Sequence, residues 1–313
     1  MKNKSIILIA ITISWVAAFT FMRAAIAQSM TLGEKAQQAF GDDSSKRPPL
    51  VEITLESSYA AATTTTFRGA EVGESDASNI NIGLKTRIPL NGHWVVPLEV
   101  RSQNLYLGTL ADTPLPASIN TIQLGTGLGY RPGEHWMFMA HVNPTFYRLS
   151  DFGSNDVGVS GSLMAMWNYS PSLKIMLGVI YSPDSDLSIM PLAGFDWTIN
   201  NHFDLQMMFP RPRLIYILDE KLHFHIGAEM NLITFSTNEL AETTSELAQY
   251  NDALATYRDI RLGTGINYRF SESFSTEAEA GYSVNRQIDY TEIDERVAFD
   301  SGPYVRLGLR MSF

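Results

Sequence analysis

From Leu50 to the terminal Phe313, apolar side chains recur at every second position. Val51, Ile53 and Leu55 alternate with Glu52, Thr54 and Glu56, and Ile80, Ile82 and Leu84 with Asn81, Gly83 and Lys85. The last strand reads the same way, with Leu307, Leu309, Met311 and Phe313 set against Arg306, Gly308, Arg310 and Ser312. Successive side chains of a strand point to opposite faces, so this period dictates strands with one apolar and one polar face. With 45% hydrophobic and only 18% charged residues the chain is not disordered, and zero cysteine excludes disulfides, thiolate metal sites and a cysteine nucleophile. The single long apolar run, Ser5 to Met22, excludes a bundle of membrane helices.

A soluble sandwich also alternates, so the connections and aromatics have to decide. Short connections lie at Asn91-Gly92-His93, Pro132-Gly133-Glu134, Ser170-Pro171-Ser172, Asn200-Asn201-His202, Asp219-Glu220-Lys221 and Ser271-Glu272-Ser273. Long loops are expected between them, near 62–76, 108–118, 149–156, 183–187, 237–256 and 288–300. Short turns on one rim and long loops on the other are the mark of a bacterial outer-membrane barrel. Beside the short turns the apolar face carries Trp94, Tyr130, Trp136, Tyr169, Trp197, Phe203, Phe224, Phe270, Phe274 and Phe313, a girdle at headgroup level. Phe146, Tyr181, Phe209 and Tyr282 form the opposite belt. A strand from Trp136 to Phe146, tilted by roughly 40°, rises about 25 Å, which matches the apolar band of such barrels.

The fold is therefore all-β, a single antiparallel transmembrane up-and-down barrel. If Pro210 and Pro212 make a tight outer turn, every short turn falls on one rim and the count is fourteen strands; if that region is irregular, the count is twelve. The strands flanking the prolines, 203–209 and 213–218, are shorter than the 9–11 residues of a full span, so the wall is expected to be low there. Residues 1–27 have the layout of a secretory signal: Lys2 and Lys4, the apolar run, Arg23, then Ala25-Ile26-Ala27. Residues 28–49 read as a periplasmic lead-in and 50–313 as the barrel, which locates the protein in the outer membrane.

The stretch Phe209-Pro210-Arg211-Pro212-Arg213-Leu214, followed by His223-Phe224-His225-Ile226-Gly227-Ala228-Glu229, resembles an outer-membrane barrel family, domain of unknown function 6268. Tyr257-Arg258-Asp259-Ile260-Arg261-Leu262-Gly263 and Leu307-Gly308-Leu309-Arg310-Met311-Ser312-Phe313 are similar to it as well. The resemblance implies a barrel and carries no activity or functional residues. A terminal Phe on an alternating strand resembles the signal read by the barrel-assembly machinery.

By parity the lumen face carries Glu52, Glu56, Lys85, Arg87, Glu99, Arg101, Glu229, Arg261, Arg269, Glu277, Glu279, Arg306 and Arg310. Such a set either lines a charged channel or fills the barrel with cross-strand ion pairs. Inward glycines at Gly125, Gly127, Gly129, Gly263 and Gly265 are expected either to clear lumen space or, the favoured reading, to let strands bend. His223, His225 and Glu229 share a face but lack an identifiable third strong metal ligand, and His141 with Asn143 near Ser150 has no convincing nucleophile spacing. No enzyme, metal or cofactor is expected.

The chain holds 33 acidic against 23 basic residues, and three of the basic ones, Lys2, Lys4 and Arg23, lie in the leader. A nucleic-acid partner is not expected. The acid is concentrated in the long loops, for example Glu71, Glu74, Asp76, Asp184, Glu292 and Glu295, where divalent cations bridging lipopolysaccharide are candidate ligands. Outer-membrane lipid and the barrel-assembly machinery are the other expected partners. Two functions follow: a narrow channel for small solutes or ions, or a structural and surface-interaction barrel with a filled lumen.

Overall fold

The computed structural model describes residues 51–147, 156–185, 188–237, 247–251 and 253–313; the expected signal and lead-in lie outside them. The strands are β1 (Val51–Phe67), β2 (Ala70–Pro89), β3 (Trp94–Leu107), β4 (Ser118–Tyr130) and β5 (Trp136–Phe146). They continue as β6 (Val157–Ser170), β7 (Leu173–Tyr181), β8 (Ile189–Asn200), β9 (Phe203–Met208) and β10 (Arg213–Ile217). The last are β11 (Leu222–Ser236), β12 (Leu254–Ser271), β13 (Phe274–Tyr290), β14 (Glu295–Phe299) and β15 (Gly302–Ser312).

Each strand from β1 to β13 pairs antiparallel with the next. Both β14 and β15 lie between β13 and β1, so they are collinear halves of one wall strand, broken at Asp300 and Ser301. The wall therefore has fourteen strands and closes on itself, with Val51 and Phe313 exchanging backbone hydrogen bonds at the seam. Closure leaves no sheet edge at the seam, which a bilayer requires. The Phe209–Pro212 segment is the tight outer turn, and all six short turns share the other rim.

Two of the expected long loops are strands instead. Residues 62–76 are the ends of β1 and β2 joined at Arg68-Gly69, and 288–300 is mostly β13 and β14. A type I′ two-residue hairpin turn needs positive φ at both central positions, and Arg68 (51°) and Gly69 (78°) supply it. These hairpins carry the wall beyond the band, where polar loop composition masks the pairing.

The girdle residues Trp136, Tyr169, Trp197, Phe203, Phe224, Phe270 and Phe313 are exposed on the outer face, while Trp94 stacks on Tyr130 and Phe270 on Phe274. Tyr181 and Tyr282 are exposed at the opposite belt. Phe209 departs from that belt and packs against buried residues of the lumen.

The inward glycines clear room for rings. A Cβ on Gly265 would lie 2.5 Å from the His225 ring; one on Gly263 would collide with the Tyr304 hydroxyl and one on Gly127 with the His141 ring. Ring clearance is thus one reason for glycine on this face, and at Gly127 the Ala140 carbonyl oxygen of the neighbouring strand also approaches closely. Gly265→Val should therefore displace His225 and lower stability by roughly 1–3 kcal/mol. The check is the temperature at which the folded band disappears on unboiled gels, and an unchanged temperature would contradict it.

Candidate functional site

Alternation brings the lumen charges of β1, β11, β13 and β15 to one height, and the Pro210-Arg211-Pro212-Arg213 segment adds two guanidiniums. Arg211 donates to Glu229 and lies 3.7 Å from Glu56 on the far side of the lumen. Arg213 reaches Glu277 at 2.9 Å and Glu279 at 3.3 Å. Arg306 touches Glu56, Glu229, Glu277 and Glu279. His225 meets Glu279 at 2.8 Å, and the Tyr304 hydroxyl donates to Glu279. Beside this group Arg261 is held by Asp259 at 2.7 Å and by Ser58. The members are nearly all buried, with Arg306 only 3% exposed. The network thus spans the lumen between opposite wall strands, with open space on either side of it.

Among the sequence-expected lumen charges, Glu56, Glu229, Arg261, Glu277, Glu279 and Arg306 lie in or against this network. Glu99 pairs with Arg101 at 2.8 Å and Glu52 lies 3.8 Å from Arg310. Lys85 sits in register between Glu52 and Glu99, with Arg87 two residues nearer the short-turn rim. Arg269 and Arg310 line a vestibule at the short-turn rim. Arg211, Arg213, Asp259 and Tyr304 were not expected; the i, i+2 spacing of the two arginines around Pro212 was the signal that both face inward.

His225 groups with Glu277 and Glu279, their ligand atoms within 4.8 Å, and not with Glu229. Arg213 and Arg306 occupy the same carboxylate oxygens, so a cation there would face two guanidiniums; the group is an ion-pair lock. His141 overlies Gly127, and Ser150 lies outside the described residues.

Under the long-loop rim, on the side of β1–β4 and β11–β15, lies an apolar cluster. Leu115 of the β3–β4 connection and Leu247, Tyr250 and Ala253 of the β11–β12 connection pack among Phe67, Phe235, Tyr257, Tyr290 and Phe299. Arg68 at the β1–β2 tip bridges to Glu295, with Nη2 at 2.9 Å, and Tyr250 donates to the same carboxylate. The hydrogen bonds from Arg68 hold the Glu295 carboxyl below its usual range.

A second cluster was not legible in the polar-lumen expectation. Val95, Met137, Met139, Met164, Met166, Met176, Leu192 and Met208 all face inward, with Ile180 and Phe209 against them. Met137 pairs with Met166, Met166 with Met176, Met176 with Gly194 and Gly194 with Met208, a ladder at one register level across β5 to β9.

Between these packed zones the wall has a notch. β9 stops at Met208, opposite Gly194, and β10 begins at Arg213, opposite Gly227. The turn between them bonds β11 only as far as Met230, through Pro210. Above that height Ile189–Ala193 of β8 and Asn231–Ser236 of β11 have no wall strand between them among the described residues. The Thr198 N–H bonds toward β7, so odd-numbered residues of β8 point at the notch. There the sequence places Pro191, which has no N–H to leave unpaired. Ile189 pairs with Tyr181 of the outer belt, so the notch opens at the outer edge of the apolar band.

Behind it lies a cavity of about 300 Å³. Ile180, Met190, Phe209, Leu232 and Ile233 line it, and so do Arg101, Gln103, Thr121, Gln123, Thr145, Ser160 and Asn231. Ile180 and Phe209 rest on the methionine cluster, Ile233 belongs to the mouth cluster, and Arg211 and Glu229 to the ion-pair network. β4 and β11, on opposite walls, bring Cα atoms within 8 Å of each other, which flattens the lumen around this space.

Residues 111–313 match the family described as Domain of unknown function (DUF6268). The chain belongs to that family. The barrel is also similar to solved structures, at low identity. A Pseudomonas aeruginosa FadL homologue is 9% identical with a TM-score of 0.46, over 89% of this chain and 92% of the other. The CymD monoaromatic hydrocarbon channel is 10% identical with a TM-score of 0.45, over 93% and 94%. The Pseudomonas putida toluene transporter TodX is 10% identical with a TM-score of 0.42, over 92% and 96%. A comparison with curated protein sequences finds no match.

In this DUF6268 barrel, Arg306→Ala leaves carboxylates buried without their shared partner and should cost about 3–5 kcal/mol, read as a large drop in the unfolding midpoint; a drop under about 1 kcal/mol would mean that water fills the lumen. The outer tip should respond to pH. Because the folded Glu295 carboxyl titrates below its unfolded range, the Arg68–Glu295 tie is complete above that range and is lost as pH falls through the folded value. Protease resistance at the 68–69 turn should stay constant from neutral pH to about pH 5 and fall below about pH 4, with Glu295→Gln already low at neutral pH.

Proposed function

We propose that this outer-membrane barrel takes small solutes into its interior through the side wall while its axis stays closed. The observation that carries this reading is the notch between β8 and β11, which leads into a cavity bordered by the ion-pair network, the methionine cluster and Ile233 of the apolar mouth cluster. The apolar mouth cluster and the buried ion-pair network both oppose an axial pore, since each occupies part of the lumen cross-section with packed or paired side chains. A filled structural barrel would share those two features and would have no reason for a low wall over a cavity. Outer-membrane lipid, lipopolysaccharide with bridging divalent cations, and the barrel-assembly machinery are the proposed partners.

Purified protein in a planar bilayer should give no stepwise conductance; reproducible ion-conducting steps would contradict the closed axis. The chain has no cysteine, so single thiols report access directly. Ile180→Cys, at the cavity, should react with a maleimide added outside proteoliposomes. Met176→Cys, on the same strand face but inside the methionine cluster, should react at least tenfold more slowly. Equal rates at the two positions would contradict side access.

A further inference from the structure

The chemistry of the cavity wall names a solute class, an inference that rests on the side-access reading above. Gln103 of β3 and Thr121 of β4 are direct cross-strand partners, and Asn231 of β11 faces them from the opposite wall. Thr121 is only 6% exposed, yet neither its hydroxyl nor the amides of Gln103 and Asn231 have a hydrogen-bond partner among the described residues. Thr121 is buried and Gln103 and Asn231 are half-buried, and three neutral polar groups turned toward one cavity with no protein partner offer their hydrogen bonds to water or to a ligand. Nearby, Gln123 and Thr145 bond each other at 3.2 Å and so are already partly satisfied.

The charged groups at the cavity are neutralised within the protein. Arg101 is held by Glu99, and Arg211 by Glu229 and Glu56. A ligand carrying net charge would therefore lose its hydration without gaining a counter-charge, which is strongly unfavourable in a closed lumen. Toward the notch the lining turns apolar, with Ile180, Met190, Phe209 and Leu232, and beneath it lie the thioethers of the methionine ladder. Methionine adapts its shape and makes favourable contacts with aromatic rings, so this floor accepts flat apolar bodies of varied outline. A volume of about 300 Å³ is at the small end for ligand sites.

We infer that the cavity binds small uncharged amphiphiles, with a hydroxyl or amide head bonded by Gln103, Thr121 and Asn231 and an apolar body lying over Phe209 and the methionine floor. The same class of molecule collects at the membrane interface, the level at which the notch opens.

The test uses the full barrel in detergent micelles and three probes of one shape, 1-naphthol, naphthalene and 1-naphthalenesulfonate, with binding read by fluorescence. The expected result is saturable binding of 1-naphthol, at least tenfold tighter than the sulfonate. Thr121→Val keeps the shape of the side chain and removes its hydroxyl; it should weaken 1-naphthol several-fold and leave naphthalene unchanged. Gln103→Leu should act in the same direction. Sulfonate binding as tight as 1-naphthol, or variants that weaken all three probes alike, would overturn the assigned class and leave side access standing. No saturable binding of any probe, with Ile180→Cys still reactive, would also overturn the class. No binding together with an unreactive Ile180→Cys would overturn the side-access reading itself.

Discussion

A polypeptide in a bilayer has to satisfy its backbone hydrogen bonds within itself, and the architecture of this protein follows from how it meets that constraint. Fourteen strands close through β1 and the collinear β14 and β15, so the seam has no free edge. The exception is the gap above the Phe209–Pro212 turn, where two short strands leave the upper parts of β8 and β11 facing each other across open wall. Pro191 stands on one side of it with no donor to lose. On the other side the N–H groups of Leu232 and Thr234 point into the gap, because Ala228 and Met230 of the same parity bond the turn below. A wall that is complete elsewhere and open here directs access to the cavity.

The interior explains why the opening is lateral. Three kinds of packing fill the lumen: an apolar cluster under the outer rim, an arginine–glutamate lock across one side, and a methionine ladder across the other. Each is costly to displace for a different reason. Separating the lock would strand buried charges, opening the mouth would expose aromatic rings, and methionine yields most easily because its long unbranched side chain repacks. The cavity lies where the three meet, so its surface is part polar, part charged but neutralised, and part apolar.

Much of this was legible in the sequence. Period two fixed the strands, turn length fixed their direction, and the paired prolines at 210 and 212 fixed both the count and the low point in the wall. Parity put Glu56, Glu229, Arg261, Glu277, Glu279 and Arg306 on one face, because a side chain stays on its face wherever the ladder is regular, whereas Arg269 of the same parity is exposed near the short-turn rim. Parity failed where the reading assumed that the inner face is polar. Met137, Met139, Met164, Met166 and Met176 alternate with Phe138, Ala140, Ala165, Trp167 and Leu177, so both faces are apolar there and the inner cluster is hidden. The two long hairpins at 62–76 and 288–300 were read as loops because polar residues on both faces above the membrane erase the alternation. The convergence of Gln103, Thr121 and Asn231 depends on a flattened lumen, which no local pattern records.

The central claim is that the wall is open between β8 and β11, and residue-resolved amide exchange measured by NMR on the barrel in micelles tests it most directly. Along the upper part of β11, odd-numbered residues bond β12 and even-numbered ones face the gap. Leu232 and Thr234 should exchange quickly while Asn231, Ile233 and Phe235 stay protected. Uniform protection along 231–235 would show that the gap is filled, and would contradict a side entrance.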